Sequence, residues 1–192
     1  TWVLTTAIME PSLEKEGSMA TERTGVYKVR DNPLTLIGEG LTVGSKAPDF
    51  SLPAAGNQTV SLSDSQGKAR VLVAVVSLDT GVCDREGKTF NDLAKEFPDA
   101  EIIVVSKDLP FAQARWCGAN EVENIKTASA FRDDSTFPTD YGILVKESRL
   151  LARSVFVIDG NGVLQHVEYV PDLLEEPNYD AVKEAVQKAT TS

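Results

Sequence analysis

Residues 71–83 read VLVAVVSLDTGVC, and this stretch decides how the rest of the chain is interpreted. The run at 71–76 is continuously apolar and rich in β-branched residues, which is typical of a strand buried on both faces. Soon after it, residues 89–97 place their apolar side chains on one face of a helix. Cys83 is therefore predicted at the point where a buried strand passes into the first turn of a helix.

This predicted position favours chemistry at the sulfur of Cys83. The first turn of a helix has unpaired backbone N–H groups and the positive end of the helix dipole, and both favour a thiolate. Thr80, three residues earlier, is placed to direct its hydroxyl at the sulfur or at an oxygen of a bound peroxide. The only other cysteine is Cys117. Two cysteines in such settings predict a redox pair on one scaffold.

Composition limits the classes of function. A length of 192 residues fits one domain, and a net charge of −10 without a Lys/Arg run argues against nucleic acid or an anionic membrane surface as partner. The sequence contains no apolar stretch near the roughly 18 residues that span a bilayer. Two cysteines are too few for a disulfide-stapled secreted scaffold, so we expect a reducing cytoplasm.

The chain is predicted to divide at its N-terminal end. Residues 1–23 lack hydrophobic periodicity and are predicted to be a flexible tail or a segment introduced by cloning, because residues 17–20, GSMA, resemble a cloning junction ahead of a native start at Met19. A natural extension is the alternative. Residues 24–192 are predicted to form the folded domain.

Within that domain the patterns predict an α/β fold. Strand-like alternation flanks turn signals at 26–37 and 154–170, which predicts two hairpins, and residues 102–106 predict a second buried strand. Residues 111–116 predict a short helix and residues 178–189 an amphipathic one. This order predicts a mixed central sheet with helices on both sides.

Three segments in the right order resemble one known family. Residues 80–83 (TGVC), 108–118 (DLPFAQARWCG) and 151–159 (LARSVFVID) resemble the corresponding segments of bacterial thiol peroxidases, the atypical two-cysteine branch of the peroxiredoxins. The resemblance extends over about residues 24–190. It implies a thioredoxin-like fold, in which an N-terminal β-hairpin accompanies a mixed central sheet flanked by helices.

The resemblance also implies roles for four residues: Cys83 is the peroxidatic cysteine, Cys117 the resolving cysteine, Thr80 a hydrogen-bonding residue and Arg153 the catalytic arginine. Such a protein reduces hydrogen peroxide and organic hydroperoxides without metal, haem or flavin. Its sulfenic acid condenses to an intramolecular disulfide, which a thioredoxin-type donor reduces. The family further implies a homodimer.

Two departures from the family's pattern bear on the rate. The family usually has proline seven residues before the peroxidatic cysteine, where it helps to shield the sulfur from solvent, and this chain has Val76. Asp84 places a carboxylate directly after Cys83, which opposes thiolate formation, while Arg85 is a candidate to offset it.

Other interpretations of the same residues stay open at this stage. Either cysteine is a passive thiol in the alternative reading, Arg153 is a structural ion-pair partner, and Arg132 is the rival guanidinium. A thiol–disulfide oxidoreductase would carry Cys-x-x-Cys, which is absent, and a zinc module needs about four close ligands. The main alternative function is a catalytically weak or silent binding or chaperone domain on the thioredoxin fold.

Overall fold

The structure is a computed structural model that describes residues 20–191. Most of the predicted tail, residues 1–19, lies outside the described residues, and the first strand begins at Glu22. The strands of the described range are β1 (Glu22–Val29), β2 (Asn32–Ile37), β3 (Ser51–Ala54), β4 (Gln58–Ser61), β5 (Ala69–Ala74), β6 (Ala100–Ser106), β7 (Lys126–Ser129), β8 (Leu144–Val145), β9 (Ser154–Ile158) and β10 (Leu164–Tyr169). The helices of this range are α1 (Gly81–Glu96), α2 (Pro110–Ala119), α3 (Phe137–Asp140) and α4 (Tyr179–Thr190).

Five strands form the central sheet in the order β10-β9-β5-β6-β7. β5, β6 and β7 run parallel, whereas β9 is antiparallel to both β5 and β10. All six residues of β5 are buried, as the continuous apolar run predicts for a strand with both faces covered. The mixed sheet of the sequence interpretation is confirmed.

The two faces of the sheet form separate apolar clusters, because successive side chains of a strand point to opposite sides. Val71 and Val73 belong to the cluster that contains Cys83, Phe90 of α1 and side chains of α4. Leu72 and Ala74 of β5 belong to the cluster on the other face, together with side chains of the N-terminal hairpin and α3. The helix that carries Cys83 therefore packs on the same face as the C-terminal helix.

The predicted hairpins are both present. β1 pairs antiparallel with β2, which also pairs with β8, and β9 pairs antiparallel with β10. The second helix is longer than the predicted 111–116, because Pro110 occupies its first turn and the helical hydrogen bonds continue to Asn120. In the part of the chain that the structure covers, no helix has the length and apolar character needed to cross a bilayer.

Candidate active site

Cys83 lies in the first turn of α1, where the loop after β5 delivers it. Thr80 is the N-cap residue of this helix, with extended backbone angles. The first N–H groups of a helix have no acceptor within the helix, so the backbone around Cys83 presents donors to its surroundings. The thiol is fully buried and free. The predicted strand-to-helix position is therefore the one that the structure has.

Arg153 reaches this sulfur from the edge of β9. Its guanidinium Nη1 lies 3.5 Å from the Sγ of Cys83 and donates to it, while Nη2 donates to the carbonyl of Leu173 at 3.0 Å. The antiparallel pairing of Ala74 with Ser154 explains the approach, because it places the residue before β9 beside the end of β5. The structure thus brings together the cysteine and the arginine that the sequence singles out, although 70 residues separate them.

A third charged side chain, Glu86, completes this buried group. Its carboxylate accepts a hydrogen bond from Nη1 of Arg153 and forms an ion pair with it. The exposed fractions of the two side chains are 0% and 1%, so the pair is screened from solvent. Sequence reasoning missed Glu86. The available signal was its spacing, since an acid three residues after Cys83 and four before Phe90 falls on the apolar face of α1.

Burial and the ion pair act on the charges of this group in opposite directions. Burial raises the pKa of Glu86 to about 7, although the neighbouring guanidinium of Arg153 favours the carboxylate. Burial also disfavours the charge of Arg153, but the negative charges of Glu86 and of the Cys83 sulfur outweigh it and raise the pKa of Arg153 above its ordinary value. The arginine is therefore a permanent cation, whereas the raised pKa of the Glu86 carboxyl group lies near neutral pH.

The hydroxyl of Thr80 donates to the carbonyl of Ser77 at 2.9 Å. This side chain lies in the turn that leads into α1, three residues before Cys83. Its hydroxyl oxygen can still accept a hydrogen bond. The turn is fixed by Asp108, whose carboxylate accepts from the Ser77 hydroxyl at 2.8 Å and from the Leu78 N–H at 2.9 Å. The loop before Cys83 is thus tied to the loop that precedes α2.

Cys117 lies within α2 and not after it, contrary to the predicted end of the helix at residue 116. Its thiol is free and half-buried, and it packs against the apolar cluster that contains Cys83. Burial raises the pKa of the Cys117 thiol. The Cys117 thiol therefore holds its proton more tightly than the thiol of an exposed cysteine does.

A direct contact joins the residues beside the two cysteines. Trp116 packs on Gly87 of α1, where a β-carbon would lie 2.6 Å from the indole ring. Asp84 accepts hydrogen bonds from Lys88 at 2.8 Å and from the indole N–H of Trp116 at 2.9 Å. The hydrogen bond from Lys88 is the main reason why the pKa of Asp84 is lowered. Burial opposes this effect, and the hydrogen bond from Trp116 adds to the lowering. The Asp84 carboxylate, next to Cys83, is thus stabilised by Lys88 and Trp116. Arg85, the candidate to offset this charge, pairs with Glu176 at 3.1 Å instead.

The remaining sequence candidates have other surroundings. Arg132 is exposed, and its guanidinium lies 5.9 Å from the centre of the Phe131 ring. Val76, in the place of the family's proline, is buried in the apolar cluster that surrounds Cys83. Within residues 20–191 no group of three or more His, Cys, Asp or Glu side chains is placed to hold a metal ion.

The sequence and the overall fold both resemble those of known proteins. The redoxin family model matches residues 42–183. The chain is 44% identical over 158 residues to the thiol peroxidase of Bacillus subtilis, which covers 82% of this chain and 94% of the relative. It is 45% identical over 160 residues to the thiol peroxidase of Halalkalibacterium halodurans, covering 83% and 96%. The crystal structure of a peroxiredoxin-like protein from Aquifex aeolicus superposes with a TM-score of 0.80 at 38% identity, covering 87% of this chain and 97% of that one.

Proposed function

The chain belongs to the redoxin family and is a thiol-dependent peroxidase of the peroxiredoxin type, and we propose that Cys83 is the cysteine that attacks the peroxide. The observation that carries this assignment is the contact of 3.5 Å between Arg153 Nη1 and the Cys83 sulfur at the start of α1. A guanidinium at the sulfur and a position in the first turn of a helix both stabilise a thiolate. The similarity to thiol peroxidases favours this enzyme over a silent binding domain on the same fold.

The first half of the cycle uses the elements of this site directly. The Cys83 thiolate donates an electron pair to the terminal oxygen of a hydroperoxide, the S–O bond forms, and the O–O bond breaks. Sulfur is oxidised to a sulfenic acid, and the departing hydroxide or alkoxide takes up a proton to leave as water or an alcohol. Arg153 is the proposed donor that holds the peroxide and stabilises the charge on the departing oxygen. The hydroxyl oxygen of Thr80, whose O–H donates to the Ser77 carbonyl, is the proposed acceptor for the O–H of the hydroperoxide.

The second half assigns Cys117 as the resolving cysteine. Its thiol attacks the sulfenic sulfur of Cys83, which forms the disulfide and releases water. Its place in α2 supports this, because the Trp116–Asp84 hydrogen bond already joins the turns that carry the two cysteines. Burial raises the pKa of Cys117, which favours the protonated form of the second thiol while it packs in α2.

The proposal extends to the partners of the cycle. A thioredoxin-type dithiol is the proposed reductant of the Cys83–Cys117 disulfide, and a reducing cytoplasm is the proposed compartment, because both cysteines start the cycle as free thiols. A homodimer is proposed as well. Leu109 and Phe111 at the start of α2 and Phe131 nearby expose apolar side chains that such an interface would cover. Light scattering of the reduced protein measures the oligomeric state.

The direct test of the function is peroxide consumption. The reduced protein is mixed with hydrogen peroxide or an organic hydroperoxide, together with thioredoxin, its reductase and NADPH, and NADPH oxidation is followed. We expect turnover with both peroxides. Absence of peroxide consumption, even by the pre-reduced protein in a single turnover, would refute the function, whereas consumption in a single turnover only would refute the proposed reductant.

A further inference from the structure

One guanidinium faces two groups that both carry a negative charge when ionised. Arg153 Nη1 donates to the Cys83 sulfur and to a carboxylate oxygen of Glu86, and all three side chains are buried. Nη2 is committed to the Leu173 carbonyl at 3.0 Å, which fixes the direction of the fork. The thiol and the carboxyl group therefore share the charge of one cation, through the two N–H groups of the same nitrogen.

A buried cation compensates one buried anion far better than two. A second negative charge in the same screened site lacks a partner, and such a charge usually takes up a proton instead. Glu86 is suited to that response, since its second carboxyl oxygen, Oε1, is buried without a hydrogen-bond partner in the described protein. An ionised carboxylate is poorly solvated there, and burial accordingly places its pKa near 7.

We propose that Cys83 and Glu86 share one proton across Arg153, so that Glu86 accepts the proton when Cys83 becomes a thiolate. The proposal rests on the proposed function of Cys83 and makes Glu86 a positioning residue for it. In the resting protein Cys83 is a thiol and Glu86 a carboxylate. Transfer of one proton from the thiol to the carboxylate gives the Cys83 thiolate and the Glu86 carboxylic acid, while Arg153 stays charged. No charge leaves the buried site in this step, which avoids the cost of an unpaired anion.

The balance of protons follows through the reaction. The thiolate displaces hydroxide or alkoxide from the peroxide, and the departing anion takes a proton from water, leaving hydroxide. That hydroxide removes the proton held by Glu86, which restores the carboxylate and returns water. The sum is thiol plus hydroperoxide giving sulfenic acid plus water or alcohol. At the end of the step Arg153 again has one anion to compensate, the Glu86 carboxylate.

Other charged and titratable groups around this pair favour the protonated form of Glu86 or compete for Arg153. They comprise Glu168 of β10, Glu176 before α4, Tyr179 of α4 and Tyr27 of β1, with Asp172 after β10 acting on Tyr27. The two glutamates raise the cost of ionising Glu86. Three of these acids have basic partners of their own: Glu176 pairs with Arg85 at 3.1 Å, Glu168 lies 3.1 Å from His166, and Asp172 lies 3.9 Å from Lys28. Arg153 is the cation that contacts both Cys83 and Glu86.

The test measures thiolate formation without peroxide. In a Cys117→Ser background the absorbance of the Cys83 thiolate at 240 nm is titrated with pH, with and without Glu86→Gln. The amide keeps the shape of the side chain and removes the competing charge. We expect the midpoint of the thiolate titration to move to lower pH by about one unit, a tenfold change in proton affinity. Glu147 is an exposed carboxyl group that accepts from the Thr35 N–H, and Glu147→Gln is the matched control that leaves the midpoint unchanged.

The reverse arm uses the carboxyl group as the reporter. With ¹³C-labelled glutamate, the carboxyl resonance of Glu86 is titrated in Cys117→Ser and in the double variant Cys83→Ser/Cys117→Ser. Linkage is reciprocal, so removal of the thiolate must move the Glu86 midpoint to lower pH by the same amount. This arm does not depend on the folding of the Glu86→Gln variant, because Glu86 is present in both proteins.

The outcomes separate the proposal from the function. Equal midpoints in both arms overturn proton sharing, even when the enzyme turns over. Shifted midpoints in a protein without peroxide consumption retain the shared proton and refute the proposed function. If Glu86 only braces Arg153, Glu86→Gln lowers the single-turnover rate with peroxide by the same factor at every pH. If the proton is shared, Glu86→Gln instead raises the single-turnover rate several-fold at pH 6 and leaves it unchanged at pH 9.

Discussion

The indole Nε1 of Trp116 donates a hydrogen bond of 2.9 Å to Oδ1 of Asp84. This bond joins the residue after Cys83 to the residue before Cys117, and it exists while both thiols are free. The first turn of α1 and the last turns of α2 are therefore connected at the two positions that the disulfide would connect covalently. Opening of one segment removes a partner from the other.

Oxidation is expected to expose Trp116. A disulfide requires Cα atoms within about 7 Å, and we expect both cysteine-bearing helix ends to rearrange to form it. Trp116 is buried in the reduced protein and lies directly beside Cys117. With Trp2 replaced by Phe, Trp116 is the single tryptophan, and one equivalent of peroxide should shift its emission to longer wavelength.

The control is a variant that cannot form the disulfide. Cys117→Ser stops at the sulfenic acid and should keep the emission of the reduced protein. Hydrogen exchange should lose protection at residues 111–118 and around Cys83 on oxidation, with β5 and β9 unchanged. Identical emission and exchange in the two redox states would mean that the pair forms its disulfide without opening.

Asp84→Ala should speed disulfide formation. The substitution removes the acceptor of the Trp116 indole, and a hydrogen bond to a charged group contributes about 1.5–3 kcal/mol, which permits an increase of about tenfold in the rate of the opening step. Intact mass against peroxide concentration should show less over-oxidised Cys83. Lys88→Ala is the matched control, since it removes the other partner of Asp84 and keeps the indole bond; equal effects of the two variants would refute the role of Trp116.

Replacement of the two cysteines should have different consequences. Cys83→Ser should abolish peroxide turnover and keep the fold, because the buried thiol is close in size to the hydroxyl. Cys117→Ser should consume one equivalent of peroxide, stop as the sulfenic acid and then over-oxidise. Mass spectrometry after one equivalent distinguishes them, and steady thioredoxin-linked turnover by Cys117→Ser would remove Cys117 from the cycle.

Arg153→Met should lower the single-turnover rate by about 10²–10³-fold, the usual cost of removing one donor that stabilises developing charge. Arg132→Met should change it little, because this exposed guanidinium lies over Phe131. Since Arg153→Met also leaves Glu86 buried without its cation, the free energy of unfolding should fall. Arg153→Met/Glu86→Gln should recover stability without recovering the rate, and the reverse ranking of the two arginines in stopped-flow would refute the assignment.

Glu86 should make folding stability depend on pH between about 4.5 and about 7. Its pKa is raised in the folded protein from 4.5 to about 7. The folded state therefore binds the proton more tightly than the unfolded chain, and the contribution to stability is complete below about 4.5 and is lost as pH rises through 7. Urea unfolding should give a wild-type minus Glu86→Gln difference that decreases across this window. A difference that increases with pH would contradict the raised pKa.

The sequence predicts the frame of the site better than its charges. Strand β5, the helix start at Cys83 and the hairpin that carries Arg153 follow from local patterns, since strand burial and hydrophobic periodicity are visible within ten residues. The spacing of Glu86 places it on the apolar face of α1, but it is one of 29 acidic residues and its cationic partner Arg153 is distant in the chain, so the sequence does not show the buried pair. The Trp116–Asp84 bond spans 32 positions and depends in the same way on how two helices pack.

Gly87 has a consequence for how the family's members can vary. A glycine inside a helix costs about 1 kcal/mol relative to alanine, yet α1 has one on its buried face. The missing side chain is what admits the Trp116 ring, since even a methyl group would meet Cη2 at 2.6 Å. The side chains at positions 87 and 116 therefore share one limited space. A larger residue at position 87 fits this packing only together with a smaller side chain at position 116. Homologues that have lost the glycine should also have lost the tryptophan, and with it the hydrogen bond to Asp84.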